Sequence, residues 1–240
     1  MNKINIGDIT LEKVKLGTDD VFIYLGTELV YSSHNYPAQY LTFRALEDGT
    51  FKFTGSGMSY SLDEGQTWTS IAADANTPTV SSGSTIMWKA NLSPAGYWYT
   101  EPGEMPEYIP FKFSSTGQFE AEGNIMSIAS GDSFASATTV VANQFKHLFF
   151  ECTGLTNAEN LILPATTLSN GCYEGMFKGC TSLTNAPELP ASTLLGSCYG
   201  YMFLGCSSLS AITCLATNSA SYYTDGWTQD VASTGTFVKA

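Results

Sequence analysis

Thr166-Thr167-Leu168 leads into Met176-Phe177-Lys178-Gly179-Cys180-Thr181-Ser182-Leu183, and Ser192-Thr193-Leu194 leads into Met202-Phe203-Leu204-Gly205-Cys206-Ser207-Ser208-Leu209, at an offset of 26 residues. The correspondence runs past the cysteines, since Leu183-Thr184-Asn185-Ala186 repeats Leu155-Thr156-Asn157-Ala158. Stepping 28 residues upstream, Phe145, Leu148, Phe149 and Cys152 fall on Tyr173, Met176, Phe177 and Cys180. A period of this length, with Leu, Phe and Cys at fixed phase, predicts a solenoid whose units bury their apolar faces only against their neighbours. The longer first step comes from Asn160-Leu161-Ile162, an insertion expected to sit in a turn. Beyond Leu209 the pattern decays as a terminal cap should, because the outer face of the last unit meets water. There Ile212, Cys214 and Leu215 can make a strand, and Trp227 is expected in the place of Phe203.

Within one unit, Leu183 to Leu189 is short, extended and closed by Pro190, which cannot donate a ladder hydrogen bond. Ala191 to Leu194 makes a turn. Cys198-Tyr199-Gly200-Tyr201-Met202-Phe203 then carries apolar residues at helical spacing and stops at Gly205, which predicts a short helix.

The turn Phe177-Lys178-Gly179-Cys180-Thr181-Ser182-Leu183, repeated from Phe203 to Leu209, resembles the signature of the BspA-like branch of the leucine-rich repeats. The first unit departs from it, because Phe149-Phe150-Glu151-Cys152-Thr153-Gly154-Leu155 lacks the glycine before cysteine. The likeness extends upstream to Tyr40-Leu41-Thr42-Phe43 and to Gly123-Asn124-Ile125-Met126-Ser127. Those segments are similar to ones that precede such repeats in proteins of anaerobic gut bacteria and their phages. The resemblance implies adhesion or surface recognition and no shared catalytic site. The structural repeat positions it marks are Phe149, Cys152, Leu155, Phe177, Cys180, Leu183, Phe203, Cys206 and Leu209.

The expected fold class is α+β, in three parts. Residues 1–35 form an N-terminal β-hairpin attachment segment, 36–135 a β-sandwich, and 136–240 a short BspA-like leucine-rich-repeat solenoid with a terminal cap. In the first part Lys15-Leu16-Gly17-Thr18 and Tyr24-Leu25-Gly26-Thr27 punctuate alternating runs. Isolated hairpins of this kind are marginal in water. They are expected to dock on another virion or surface-anchored protein, on copies of themselves as a homo-oligomer, or on the next domain. In the second part, strand-like runs such as Tyr40 to Ala45, Thr50 to Thr54, Thr85 to Ala90 and Phe111 to Phe113 alternate with Gly-rich turns.

Two local motifs stand out in the β region. Ser61-Leu62-Asp63-Glu64-Gly65-Gln66-Thr67-Trp68 fits the Asp-box pattern. Its likeness implies a turn staple of Ser61, Asp63, Gly65 and Trp68, with Asp63 accepting turn amide hydrogens and Trp68 packing inward. Tyr97, Trp98, Tyr99, Glu101, Glu104, Glu107 and Tyr108 form the candidate ligand-binding loop, with stacking faces and acceptors suited to a sugar. The bland alternative is a hairpin whose aromatics pack on the body.

Composition narrows the function classes. The chain has 240 residues, 43% of them hydrophobic and 13% charged, with a net charge of −12. Eight basic and sixteen acidic residues precede position 149, and two basic and six acidic follow, so both parts are acidic. A phosphate-backbone partner is not expected. No run is long enough to span a membrane, and the first residues do not resemble a signal peptide. Those features favour a virion protein made in the host cytoplasm, the alternative being the bacterial cell surface. The expected partner is a host surface protein or glycan.

No catalytic residue, metal site or cofactor is assigned. There are two histidines, His34 and His147, and no nucleophile elbow, phosphate loop or metal-binding pair. Glu104 and Glu107 keep a glycan-acting enzyme open as an alternative. The six cysteines, Cys152, Cys172, Cys180, Cys198, Cys206 and Cys214, are read as stacked, buried, reduced thiols. Their even number leaves disulfides open for a secreted protein.

Overall fold

The computed structural model describes residues 2–6, 9–13, 22–25, 28–32, 39–93, 97–99, 107–109, 111–217, 224–232 and 236–239. It is a mixed α+β structure, made mostly of strands. At the N-terminus, β1 (Asn2–Ile6) pairs antiparallel with β2 (Ile9–Lys13), and β3 (Phe22–Leu25) with β4 (Glu28–Ser32). The segment expected to be β thus contains two antiparallel strand pairs.

The body is built on β5 (Leu41–Ala45), β6 (Phe51–Thr54), β7 (Ser59–Ser61), β8 (Thr69–Ser70) and β9 (Thr85–Lys89). It continues with β10 (Tyr97–Tyr99), β11 (Glu107–Ile109), β12 (Lys112–Ser115) and β13 (Phe119–Asn124). The short helix α1 (Ser127–Ser130) and a 3-10 turn over Gly131–Ser136 follow. Then come β14 (Leu155–Asn157), β15 (Leu161–Ile162), β16 (Ala211–Cys214) and β17 (Thr236–Lys239). Seven strands form one sheet in the order β14-β13-β5-β9-β7-β8, with β15 also on β13, and β6 and β12 make a separate two-stranded ribbon.

Alternation explains how the ribbon meets the sheet. Phe51, Phe53 and Phe113 point inward from β6 and β12 and are at most 2% exposed, while Lys52, Thr54, Lys112 and Ser114 stay on the outer face. Phe43 of β5 is the hub of the aromatic core. Its ring centroid lies 4.9 Å from Phe113, 4.7 Å from Phe119, 5.6 Å from Trp88 and 5.8 Å from Phe149. Each buried Phe contributes about 2–3 kcal/mol through the area it removes from water, and a well-placed ring pair adds about 1 kcal/mol.

Phe149 belongs to the repeat region, so this core crosses position 135/136. Hydrogen bonds cross it as well. β13 pairs in parallel with β14 and β15, and the Phe113 N–H donates to the Leu148 carbonyl at 2.8 Å. The two stretches expected as a sandwich and a separate repeat array share one sheet and one core. The insertion Asn160-Leu161-Ile162 meets its expectation in part: Asn160 lies in a turn closed by the Leu161 N–H on the Ala158 carbonyl, but Leu161 and Ile162 supply β15, with Leu161 1% exposed, because β13 offers a parallel edge at Gly123 and Asn124.

The segments expected to be helices are stacked turns. In the first, the N–H groups of Phe145, His147, Phe149 and Glu151 donate to the carbonyls of Cys172, Glu174, Met176 and Lys178 on the next coil, at 2.7–3.0 Å. The intervening N–H groups, from Gln144, Lys146, Leu148, Phe150 and Cys152, donate three residues back within their own coil. The same alternation joins the second coil to the third, where Tyr173, Gly175, Phe177 and Gly179 donate to Cys198, Gly200, Met202 and Leu204. An α-helix spends every N–H inside itself; here half of them bind coil to coil.

A left-handed residue every fourth position makes this possible. Positive φ recurs at Asn143, His147 and Glu151, then Gly171, Gly175 and Gly179, then Ser197, Tyr201 and Gly205, and finally Gly226 and Asp230. A period of four lies close enough to 3.6 that the buried residues fall at helix-like spacing in the sequence. Phe149, Phe177 and Phe203 stack in consequence, with centroids 5.4 and 5.5 Å apart and ring planes within 4°. At the far end, Tyr201, Phe203 and Gly205 donate to Asp225, Trp227 and Gln229. The positive φ of Gly226 and Asp230 sets Trp227 at the phase of Met202, one residue earlier than the Phe203 phase expected for it.

Candidate functional site

Strand-like segments on the other side of the stack build an open groove of about 290 Å³ lined by Glu159, Asn185, Ala186, Glu188, Ala211 and Thr213. Backbone registration sets its shape. Asn157 bridges Asn185 in parallel, the Ala158 N–H donates to the Asn185 carbonyl at 3.0 Å, and the Leu189 N–H donates to the Thr213 carbonyl at 3.0 Å. Period-two alternation over residues 187–189 and 211–214 then sends Leu189, Ile212 and Cys214 into the core and leaves Glu188, Ala211 and Thr213 exposed, with Asn185 exposed beside them. Glu159 is raised beside them by the Asn157 side chain, whose Oδ1 accepts its N–H at 2.9 Å. The Thr184 hydroxyl donates to the Thr156 carbonyl at 2.9 Å and ties adjacent coils together along the same face.

Two carboxylates, one amide and one hydroxyl thus project from a hydrogen-bonded scaffold. Such a set accepts hydrogen bonds from hydroxyl or ammonium groups and suits a polar ligand lying across the coils. None of these residues was singled out from the sequence. The repeated Leu-Thr-Asn-Ala placed Asn157 and Asn185 in register, but the inclusion of Glu159 depended on its bond to the Asn157 side chain.

The expected ligand loop is described only in part. β10 and β11 are an antiparallel pair in which Tyr97 faces Ile109, Trp98 faces Tyr108 and Tyr99 faces Glu107. Glu101 and Glu104 lie outside the described residues. The structure therefore sets Trp98 opposite Tyr108, and Tyr99 opposite Glu107, in backbone register.

The Asp-box residues form a staple. Ser61 Oγ donates to Asp63 Oδ1 at 2.7 Å and accepts the Gly65 N–H at 2.8 Å. The Thr67 N–H and hydroxyl donate to the two Asp63 oxygens at 2.8 and 2.6 Å, and these bonds hold the carboxyl down at about 2. Trp68 does not enter the core as expected. It stays half-buried, donating from Nε1 to the Gly65 carbonyl at 3.0 Å, with Lys89 Nζ 4.4 Å from its ring and Tyr40 4.9 Å away. Trp88 of β9, by contrast, is fully buried. Tyr40 donates to Asp132 at 2.7 Å, and burial together with that carboxylate pushes its phenol up to about 12.

The repeat positions Phe149, Cys152, Leu155, Phe177, Cys180, Leu183, Phe203, Cys206 and Leu209 are all buried, at most 2% exposed. All six cysteines are free thiols. Cys180 and Cys206 donate from Sγ to the carbonyls of Phe149 and Phe177, each at 3.0 Å. Burial pushes the thiols of Cys152, Cys172 and Cys206 up to about 12. The six act as buried packing groups, and Cys180 and Cys206 also bond from one coil to the next.

Among the described residues no group of three or more His, Cys, Asp and Glu is placed to hold a metal ion, and no helix is long and apolar enough to cross a membrane. No protein-family model, curated protein or solved structure matches this chain.

Proposed function

We propose that this protein is a non-enzymatic recognition protein in which a short BspA-like leucine-rich-repeat solenoid is carried on a β-sandwich body. Its role is that of a virion fibre or decoration protein, with residues 1–35 holding a virion partner and the repeats presenting a surface to host glycan, mucus or surface protein. The observation that carries this reading is the groove of Glu159, Asn185, Glu188 and Thr213, exposed on a scaffold whose coils are fixed by hydrogen bonds on either side. A rigid row of acceptors loses little entropy when it captures an extended polar ligand. The turn signature from Phe177 to Leu183 and the −12 charge support the same reading, because acceptor-rich acidic faces suit hydroxyl-bearing partners rather than nucleic acid.

Mass spectrometry of purified phage particles beside the host's outer-surface fraction tests the assignment. Peptides of this chain in particles at stoichiometric yield are the expected result. Peptides confined to the cell surface would overturn the virion role in favour of an exported adhesin.

A further inference from the structure

The described cations of this acidic protein are not evenly spread. Lys112 of β12 and Lys178 of the second coil converge on one ring, with Nζ atoms 4.8 and 5.4 Å from the centroid of Phe150. Phe150 is 6% exposed, so its ring is a fixed wall rather than a mobile cover. Lys52 stands on the same outer face of the β6–β12 ribbon, across from Ser114. Two ammonium groups drawn to one ring concentrate positive charge around it, which the ring quadrupole offsets only in part.

Neutralisation nearby is partial. Lys112 reaches Glu151 at 3.7 Å, a looser contact than the 3.0 Å between Lys146 and Glu174, and the Glu151 side chain is 54% exposed. Lys178 has no ion pair among the described residues. The patch therefore carries surplus positive charge, fixed by β12 on one side and by the coil-to-coil bond from Glu151 N–H to the Lys178 carbonyl on the other.

We propose that Lys112, Lys178 and Phe150 form a subsite for an anionic sugar, the two ammonium groups binding its carboxylate or sulfate oxygens and the phenyl wall bounding its ring. Glu151 is the resident carboxylate that the ligand displaces. An anionic group that reaches both ammonium groups offsets this surplus charge, which a neutral ligand does not. The choice of a sugar as the carrier rests on the recognition role proposed above; the anion preference rests on the two lysines alone.

Isothermal titration of the full-length protein with a heparin-derived tetrasaccharide, with a neutral maltotetraose and with sodium sulfate tests this. The acidic tetrasaccharide is expected to bind with an affinity that falls as salt rises. Lys178→Gln is expected to weaken it about tenfold, Lys178→Arg to retain it, and Glu151→Gln to strengthen it about threefold, all with unchanged melting temperature. Equal binding of the neutral sugar, no loss in Lys178→Gln, or displacement by sodium sulfate at equal concentration would each overturn the subsite. Loss of this binding in a protein that still holds host cells through Asn185 and Glu188 would remove this inference alone. Lysine-dependent binding in a protein that holds no host surface would remove the recognition role and leave the subsite standing.

Discussion

The imidazole of His147 covers the Cα of Gly175 on the neighbouring coil so closely that a Cβ built there would strike ring atoms Cδ2 and Nε2. Gly175 is also left-handed, at φ 58, and His147 is 1% exposed. The device recurs two coils further on, where the Tyr201 ring lies 2.7 Å from where a Cβ on Gly226 would stand. A large left-handed residue on one coil thus roofs a glycine on the next.

Gly175→Ala should cost about 3 kcal/mol, combining left-handed strain with overpacking against a buried ring. Gly83→Ala is the control. It has φ 81 but nothing within 4 Å of its Cβ position, and should cost about 1 kcal/mol. Urea denaturation of the two variants checks the difference, and equal losses would refute the roofing role of His147.

Phe177 stands between Phe149 and Phe203, ring on ring, and is fully buried. Phe177→Ala should destabilise by about 4 kcal/mol through lost transfer energy and a cavity that rigid coils cannot close. Because the Phe43–Phe149 contact joins the repeats to the sheet, near-ultraviolet dichroism and peptide-bond dichroism should melt together. Two separate transitions would contradict a shared core.

The thiols give a pH dependence. Their folded pKa lies above the ordinary value near 9, because burial disfavours the thiolate, reaching about 12 for Cys152, Cys172 and Cys206 and about 11 for Cys198. A raised pKa contributes stability that is fully present below pH 9, where both states hold the proton. That stability is lost as pH rises from 9 through 12, where only the unfolded chain releases it. Urea midpoints should be insensitive to the thiols below pH 9 and fall steeply above it. At pH 8 a thiol reagent should label no cysteine of the native protein and all six in denaturant. Rapid native labelling of Cys180 or Cys206 would contradict their burial.

Asp63 moves the other way. Its carboxyl is held at about 2 by Thr67 and Ser61, so the staple should persist as pH falls and open only near pH 2. Asp63→Ala should release Trp68 at neutral pH, which a red shift in tryptophan emission would report. An unchanged spectrum would show that Lys89 and Tyr40 hold Trp68 without the staple.

Periodicity carried much of this architecture. Phase-locked Leu, Phe and Cys identified the buried columns, and Asp63 with Ser61 and Thr67 identified the staple. The helices misread at Cys198 to Phe203 failed for a specific reason. Turns closing every four residues bury positions i and i+4 as a helix does, and only the recurring left-handed residues distinguish them. Those are glycines in the second coil but Asn143, His147 and Glu151 in the first, which masks the pattern. The groove was illegible because Glu159 joins Asn185, Glu188 and Thr213 only through the Asn157 side chain and the pairing of Asn157 with Asn185 on the next coil. Lys112 and Lys178 meet over Phe150 only once the ribbon is packed on the coils.

Binding of the full-length protein to intact host cells and to a panel of immobilised glycans, repeated with Asn185→Ala and Glu188→Ala, tests the central claim most directly. Both side chains are exposed, so folding should be unaffected. The account predicts measurable binding that drops about tenfold in each variant at an unchanged melting temperature. Binding that is undiminished in both variants would contradict a recognition surface in the groove of the repeats.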